Sequence, residues 1–436
     1  MKHSLETWIG ILLTLWASAA AGENWPQWRG PTADGVSPEK NLPLHWSSTL
    51  NILWKASLPG RGTSSPIVQD ELVFVTLQLG SGPIDGRGAE FPEAVAPRAD
   101  VVPTLRVTLV VRALDRRDGH TVWEHRLDAG DKNALPAVHP KHNLASPSVV
   151  TDGESVFAWM GTGQVLALDL RGNLRWEKDF ARQYGPFDVL WGHGSSPALY
   201  RDRIYLLCDH PRAAYLVALN KSTGEEIWRV ERGEGIRSYT TPLVVRGPGG
   251  DELIVNGSDR IESYDLMDGK SLWHAGEPVT LAIPIPVHRE GVLYASRGYS
   301  SGPYSAIRLG GRGDVSKTHV LWHVPTSAPY VSSLLLYDGL LYMATERGVV
   351  SAVDPESGKT VWRKRLGAAF TASPVAGDGK VFFLDEAGDA FVLRAGPRPE
   401  LLARNPIEER TLASPAISGQ TIFVRTDHHV FAIGKK

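Results

Sequence analysis

Residues 352–362 read Ala-Val-Asp-Pro-Glu-Ser-Gly-Lys-Thr-Val-Trp, and the phrase returns at the same spacing at 113–123 and 218–228. A copy at 167–176 is one residue shorter, and another at 264–273 keeps Asp265, Gly269 and Trp273. Each position has a physical job. The Ala-Leu-Asp run ends a strand, and an Asp or Asn there bonds the backbone two residues on and starts a turn. Gly119, Gly172, Gly224, Gly269 and Gly358 supply the positive φ that a tight hairpin needs. The next strand rises to a Trp, a large apolar surface with one N–H to satisfy. The phrase is a hairpin with an aromatic anchor, and its recurrence predicts a repeat architecture.

A second marker, Ser or Thr before Pro, opens an apolar strand at Ser65, Ser146, Ser196, Thr241, Ser373 and Ser414, with weaker versions at Ile285-Pro286 and Ser333-Leu334. Proline cannot donate to a ladder, so it sits at the start or edge of a strand. The two markers divide the chain into units at 64–127, 145–180, 194–231, 239–276, 283–326, 331–367, 371–407 and 412–436. Most have the period of a four-stranded propeller blade. The last unit lacks its Trp strand, whereas Ile-Leu-Trp-Lys-Ala at 52–56 is a Trp strand with no hairpin before it. The expectation is all-β: an eight-bladed β-propeller of four-stranded blades, its ring closed by that N-terminal strand. Its docking anchors are Trp54, Trp123, Trp176, Trp228, Trp273, Trp322 and Trp362.

The flanks divide accordingly. Residues 1–21 read as a signal peptide: a positive start, an apolar run at 8–16 too short to span a bilayer, then small residues. An irregular preface follows at 22–49, then the propeller at 50–436, with a Gly- and Pro-rich insertion at 79–104 in its first blade. No later stretch is apolar enough to span a membrane. A net charge of −2 leaves no electrostatic footprint for nucleic acid. The single cysteine, Cys208, excludes an intramolecular disulfide and a thiolate cluster, and none stands where a lipid anchor would need it.

Repeated around a ring, Ala-x-Asp-x-x-x-Gly-x-x-x-Trp resembles the tryptophan-docking repeat of the PQQ-like eight-bladed propellers. That superfamily holds the quinoprotein alcohol and glucose dehydrogenases and the BamB-type outer-membrane assembly factors. Trp-Pro-Gln-Trp-Arg-Gly-Pro at 25–31 looks like the preface of its secreted members. The resemblance implies the architecture, because the repeat ties blades together and carries no chemistry. The dehydrogenases add PQQ, a calcium held by Glu, Asn and Asp, a catalytic Asp, and often a ring of adjacent cysteines. One cysteine excludes that ring, and no stretch maps onto the calcium ligands. The first expectation is therefore a secreted, periplasmic scaffold with an envelope protein partner, a small-molecule ligand being the lesser possibility. The alternative is a PQQ-dependent alcohol or sugar oxidoreductase.

Candidate site residues lie on the loops that feed the innermost strands of blades two to four: His142, Asn143, Trp191, His193, Arg237 and Tyr239. In a propeller such loops converge on one mouth of the central channel. There imidazoles suit a cation, and Trp191 with Arg237 suits a planar anion such as a quinone. The plain alternative is that these side chains plug the channel and bond neighbouring blades. No metal site is assigned, since Pro140 breaks the spacing of His139 and His142, and adjacent His428 and His429 face opposite sides of a strand. Asp209 and His210 are expected on the opposite rim.

Overall fold

The computed structural model describes residues 23–80, 106–131, 135–185, 187, 189 and 191–435. The signal peptide expected at 1–21 and nearly all of the insertion expected at 79–104 lie outside them. Eight antiparallel sheets stand in a propeller arrangement. In blade one, Ile67–Gln69, Leu72–Leu79, Arg106–Asp115 and Thr121–Asp131 pair in that order from the hub outward. The middle strands, covered on both faces, are buried almost throughout, whereas the outermost strand is largely exposed or half-buried. That gradient explains why middle strands read as continuous apolar runs and outer strands do not.

Blade eight takes Ala416–Ser418, Thr421–Arg425 and His429–Ile433 from the C-terminus and Ile52–Ser57 from the other end of the chain. Trp54 lies opposite Ala432, and the ring is closed.

Each hairpin glycine is the seat of the preceding blade's tryptophan. A Cβ on Gly119 would come 2.5 Å from Trp54 Cε3, and the Trp54 indole N–H donates to the Arg116 carbonyl at 2.8 Å. Trp123 sits likewise on Gly172, Trp176 on Gly224, Trp228 on Gly269 and Trp322 on Gly358. Each donates to a carbonyl of the hairpin it covers, at 2.8–3.2 Å. Glycine is needed twice over, for its positive φ and for the room it leaves the ring. Trp362 donates to the Gly396 carbonyl at 3.1 Å. Trp273 departs from the pattern and donates to Glu252 Oε2 of its own blade at 2.7 Å. The cause lies next door. Blade five replaces the hairpin with a longer connection, whose Gly313–Asp314 adds a parallel fifth strand to the edge of blade four. Val315 from that connection then packs in the cluster that buries Trp273.

A second set of bonds runs round the hub. The backbone N–H of Ser65 donates to Ser148 Oγ, Ser148 to Ser196, Ser196 to Thr241, Ile285 to Ser333, Ser333 to Ser373 and Ser373 to Ser414, all at 2.9–3.1 Å. In blade two the hydroxyl comes from Ser148 and not from the Ser146-Pro147 marker. Ile285 has no hydroxyl, so Thr240 Oγ1 and Asn256 Nδ2 reach the Pro284 carbonyl there, at 3.1 and 2.9 Å.

The preface fills the hub on the face of the turns between first and second strands. Trp25 pairs with Val68 of blade one, the Pro26 carbonyl accepts from Thr151 of blade two, and Val36 bridges to Ala376 of blade seven. Between them Arg29 is fully buried and donates to the carbonyls of Asp34 and of Leu334 in blade six, both at 2.6 Å. Burial lowers its pKa to about 10, so the guanidinium stays charged at neutral pH. Ala33 packs with Leu243 and Val245 of blade four and Leu293 of blade five, so the segment reaches both sides of the ring and crosses the axis.

Candidate functional site at the channel mouth

The opposite face gathers two kinds of loop, those feeding each innermost strand and those joining second to third strands. His142, Asn143 and His193 lie in it between blades two and three. His142 bonds Ser146 Oγ through Nδ1, and its ring lies against Gly192, where a Cβ would come 2.7 Å from Cδ2. Burial lowers its pKa to about 4. Asn143 turns its own loop, its Oδ1 accepting from the Ala145 N–H at 2.9 Å. His193 is enclosed by Trp159 and Phe187, with ring centroids 3.9 and 5.1 Å away, and its Nε2 meets the Ser195 carbonyl at 3.0 Å. Burial, then the nearby His210 and His142, hold it well below the usual histidine range.

Trp191 adopts a positive φ of 72° and bridges through its backbone to Val138, with its ring edge-on to His139 at 6.5 Å. Arg237 is exposed. Tyr239 anchors its loop by donating its backbone N–H to the Ala282 carbonyl at 2.8 Å, and burial pushes its phenol up. The six candidates thus divide between two sectors: His142, Asn143, Trp191 and His193 over blades two and three, Arg237 and Tyr239 over blade four.

Asp209 and His210 share this face and do not lie on the opposite rim, because the second-to-third loop turns over on the same side as the loop that feeds the blade. His210 packs on Phe187 at 4.4 Å and meets Cys208 Sγ through Nε2 at 2.8 Å. Asp209 is buried against Arg232 Nε at 2.8 Å, in a network that Glu262 and Asp259 complete. Cys208 is buried, and burial raises its pKa well above the ordinary thiol value.

Sequence reasoning missed the contact that spans the mouth. Lys141, from the loop before blade two, reaches Glu386 in blade seven, its Nζ lying 3.0 and 2.7 Å from the two carboxylate oxygens. Thr371 Oγ1 donates to the same carboxylate at 2.7 Å. Neither residue belongs to a motif, and nothing local pairs groups so distant in the chain.

A sequence profile described as "Outer membrane protein assembly factor BamB" matches residues 108–347, 259–395 and 346–436. The chain belongs to this family. It is 23% identical over 363 residues to the outer membrane protein assembly factor BamB of Moranella endobia, covering 77% of this chain and 85% of that one. The Yersinia pestis BamB is 24% identical over 269 residues, 58% of this chain and 61% of its own length. Among solved structures, BamB from Moraxella catarrhalis is similar with a TM-score of 0.55 at 17% identity, covering 83% of this chain and 98% of that one. The quinohemoprotein alcohol dehydrogenase of Comamonas testosteroni reaches 0.66 at 13%, with 96% and 82% covered. At those identities the structures speak for the fold alone.

The histidine sector of the mouth, over blades two and three, does not fit the dehydrogenase cofactor. PQQ needs cationic donors for its carboxylates and a cage of oxygens for calcium. Here Lys141 is committed to Glu386, the histidines are enclosed and neutral, and Asn143 is spent on its own turn. Among the described residues, three His, Cys, Asp or Glu ligand atoms lie mutually within 4.8 Å at Asp115, Asp118 and His120. That group belongs to the docking hairpin under Trp54, where Arg117 already holds Asp115 at 2.8 Å.

Proposed function

We propose that this protein is a secreted, periplasmic binding scaffold that works with envelope proteins in assembling the outer membrane. The observation that carries the reading is the closed hub, filled on one face by the preface around Arg29 and bridged on the other by Lys141 and Glu386. A ring filled in this way offers partners its faces and rim. Family membership supports the same reading, since its named relatives are assembly factors. Among the described residues no helix is long and apolar enough to cross a membrane.

The test is genetic and biochemical. Deleting the gene lowers the amount of β-barrel protein in the outer membrane, and the purified chain cross-links to an outer-membrane assembly protein of the same cell. Purified protein given PQQ and calcium shows no dye-linked alcohol or sugar oxidation. Stoichiometric PQQ binding with turnover would replace the scaffold by an oxidoreductase.

A further inference from the structure

The outermost strand of a blade leaves one edge of its sheet unpaired, and the chain itself covers two such edges. Gly313–Asp314 lies parallel against Trp273 and His274 of blade four. The preface runs beside Leu401–Pro406 of blade seven, where Asn405 Nδ2 donates to the Leu44 carbonyl at 3.0 Å and Asn405 Oδ1 accepts from the Trp46 N–H at 3.1 Å. Short extended segments are therefore natural occupants of a blade edge.

Blade six has no such cover. Its outermost strand, Thr360–Arg365, ends in Arg363-Lys364-Arg365 and is last in its sheet. Leu366 N–H bonds the Gly348 carbonyl at 3.0 Å, so the alternation of an antiparallel ladder turns the Lys364 backbone inward and the N–H and C=O groups of Arg363 and Arg365 outward. Both arginine side chains are exposed, and Arg365 Nη1 donates to the carbonyl of Arg347, another exposed cation. Other outer strands balance their cations: Lys55 pairs with Glu409, Arg126 with Glu124, Arg229 with Glu231 and Arg404 with Asp389. Arg347, Arg363, Lys364 and Arg365 form no ion pair among the described residues. Asp354, on the hairpin at the strand's other end, is held by the Glu356 N–H and the Ser357 hydroxyl. Charge on an edge guards against self-pairing. Charge of one sign does more, since it repels a second copy of the same strand and attracts an acidic one.

We propose that the edge of blade six binds an acidic, extended segment of a partner protein by strand addition. The outward backbone groups of Arg363 and Arg365 supply the ladder, and the three basic side chains supply the preference for Glu or Asp. The scaffold role does not depend on this edge, so either can fail alone.

Fluorescence anisotropy on the full chain at low salt tests it, with labelled Thr-Val-Glu-Glu-Glu-Val-Thr and with the same peptide N-methylated along its backbone as probes. The plain peptide saturates, and its binding weakens as salt rises. The N-methylated peptide, equal in charge but unable to build a ladder, binds about tenfold more weakly or worse. The double variant R363Q/R365Q, changed only at exposed side chains, weakens the plain peptide about three- to tenfold. K270Q, on the exposed docking hairpin of blade four, leaves it unchanged. The proposal falls if the plain peptide does not saturate, if the N-methylated peptide matches it, or if R363Q/R365Q binds it as the wild type does. A matching N-methylated peptide, together with co-sedimentation on phosphatidylglycerol vesicles, would make the edge a membrane contact instead.

Discussion

The docking glycines show what one hydrogen atom in place of a methyl group can decide. Gly224 and Gly339 share nearly the same φ, 71° and 75°, yet a Cβ on Gly224 would lie 2.7 Å from Trp176 and one on Gly339 would meet nothing within 4 Å. Gly339→Ala should therefore cost about 1 kcal/mol from backbone strain alone, and Gly224→Ala about 2–4 kcal/mol. Urea unfolding of the two variants measures the difference, and equal losses would contradict the docking role. His142 gives a pH signature. Its folded pKa of about 4 lies below the roughly 6.5 of an unfolded histidine, so between those values the unfolded chain binds more protons. Stability should be flat above pH ~6.5 and fall as the pH drops toward ~4. His142→Gln should reduce that slope in thermal melts across the range, and the buried His193 should supply what remains. The glycines were legible because backbone sterics act locally. The pairing of Lys141 with Glu386 was not, since a lone Lys and a lone Glu carry no mark of a partner three blades away.

At the scale of elements, the closing strand Ile52–Ser57 supports a whole blade. It pairs along the length of His429–Ile433, and Trp54 docks across to blade one, so its loss exposes two interfaces. Deleting residues 50–58 should unfold the ring or drive it to oligomers, read by light scattering and melting temperature. Trp54→Ala alone should cost about 3–5 kcal/mol. An unchanged melting temperature for the deletion would refute the closure. Strands were easy to read here, because alternation and turn residues repeat eight times. The hub serines were only half legible. Proline marked the right end of the strand, but the function of the hydroxyl depends on the neighbouring blade, and in blade two that selects Ser148 over Ser146. Blade four's fifth strand was hidden for the same reason, since its two residues pair with a strand of another repeat.

For the whole molecule, the path of the preface matters most. Trp-Pro-Gln-Trp-Arg-Gly-Pro was legible as a marked segment, yet nothing in it says that it crosses the axis. That needs the inner strands of several blades in place at once. Arg29→Met should leave the carbonyls of Asp34 and Leu334 without their donor and lower stability by about 3 kcal/mol. Hydrogen exchange should show the loss at Thr151 and Ser37, whose N–H groups bond across the preface. The same path fixes an order of events. Ribosomes deliver the preface and the Trp54 strand first, but their partners in blades seven and eight arrive last, after almost every other residue. Until then the growing chain carries an unpaired edge and a buried-to-be arginine, and it is open to aggregation. A circular permutant that begins at blade one and carries residues 23–58 after blade eight should make these contacts as neighbours in time, and should leave a larger soluble fraction than the natural order during cell-free synthesis.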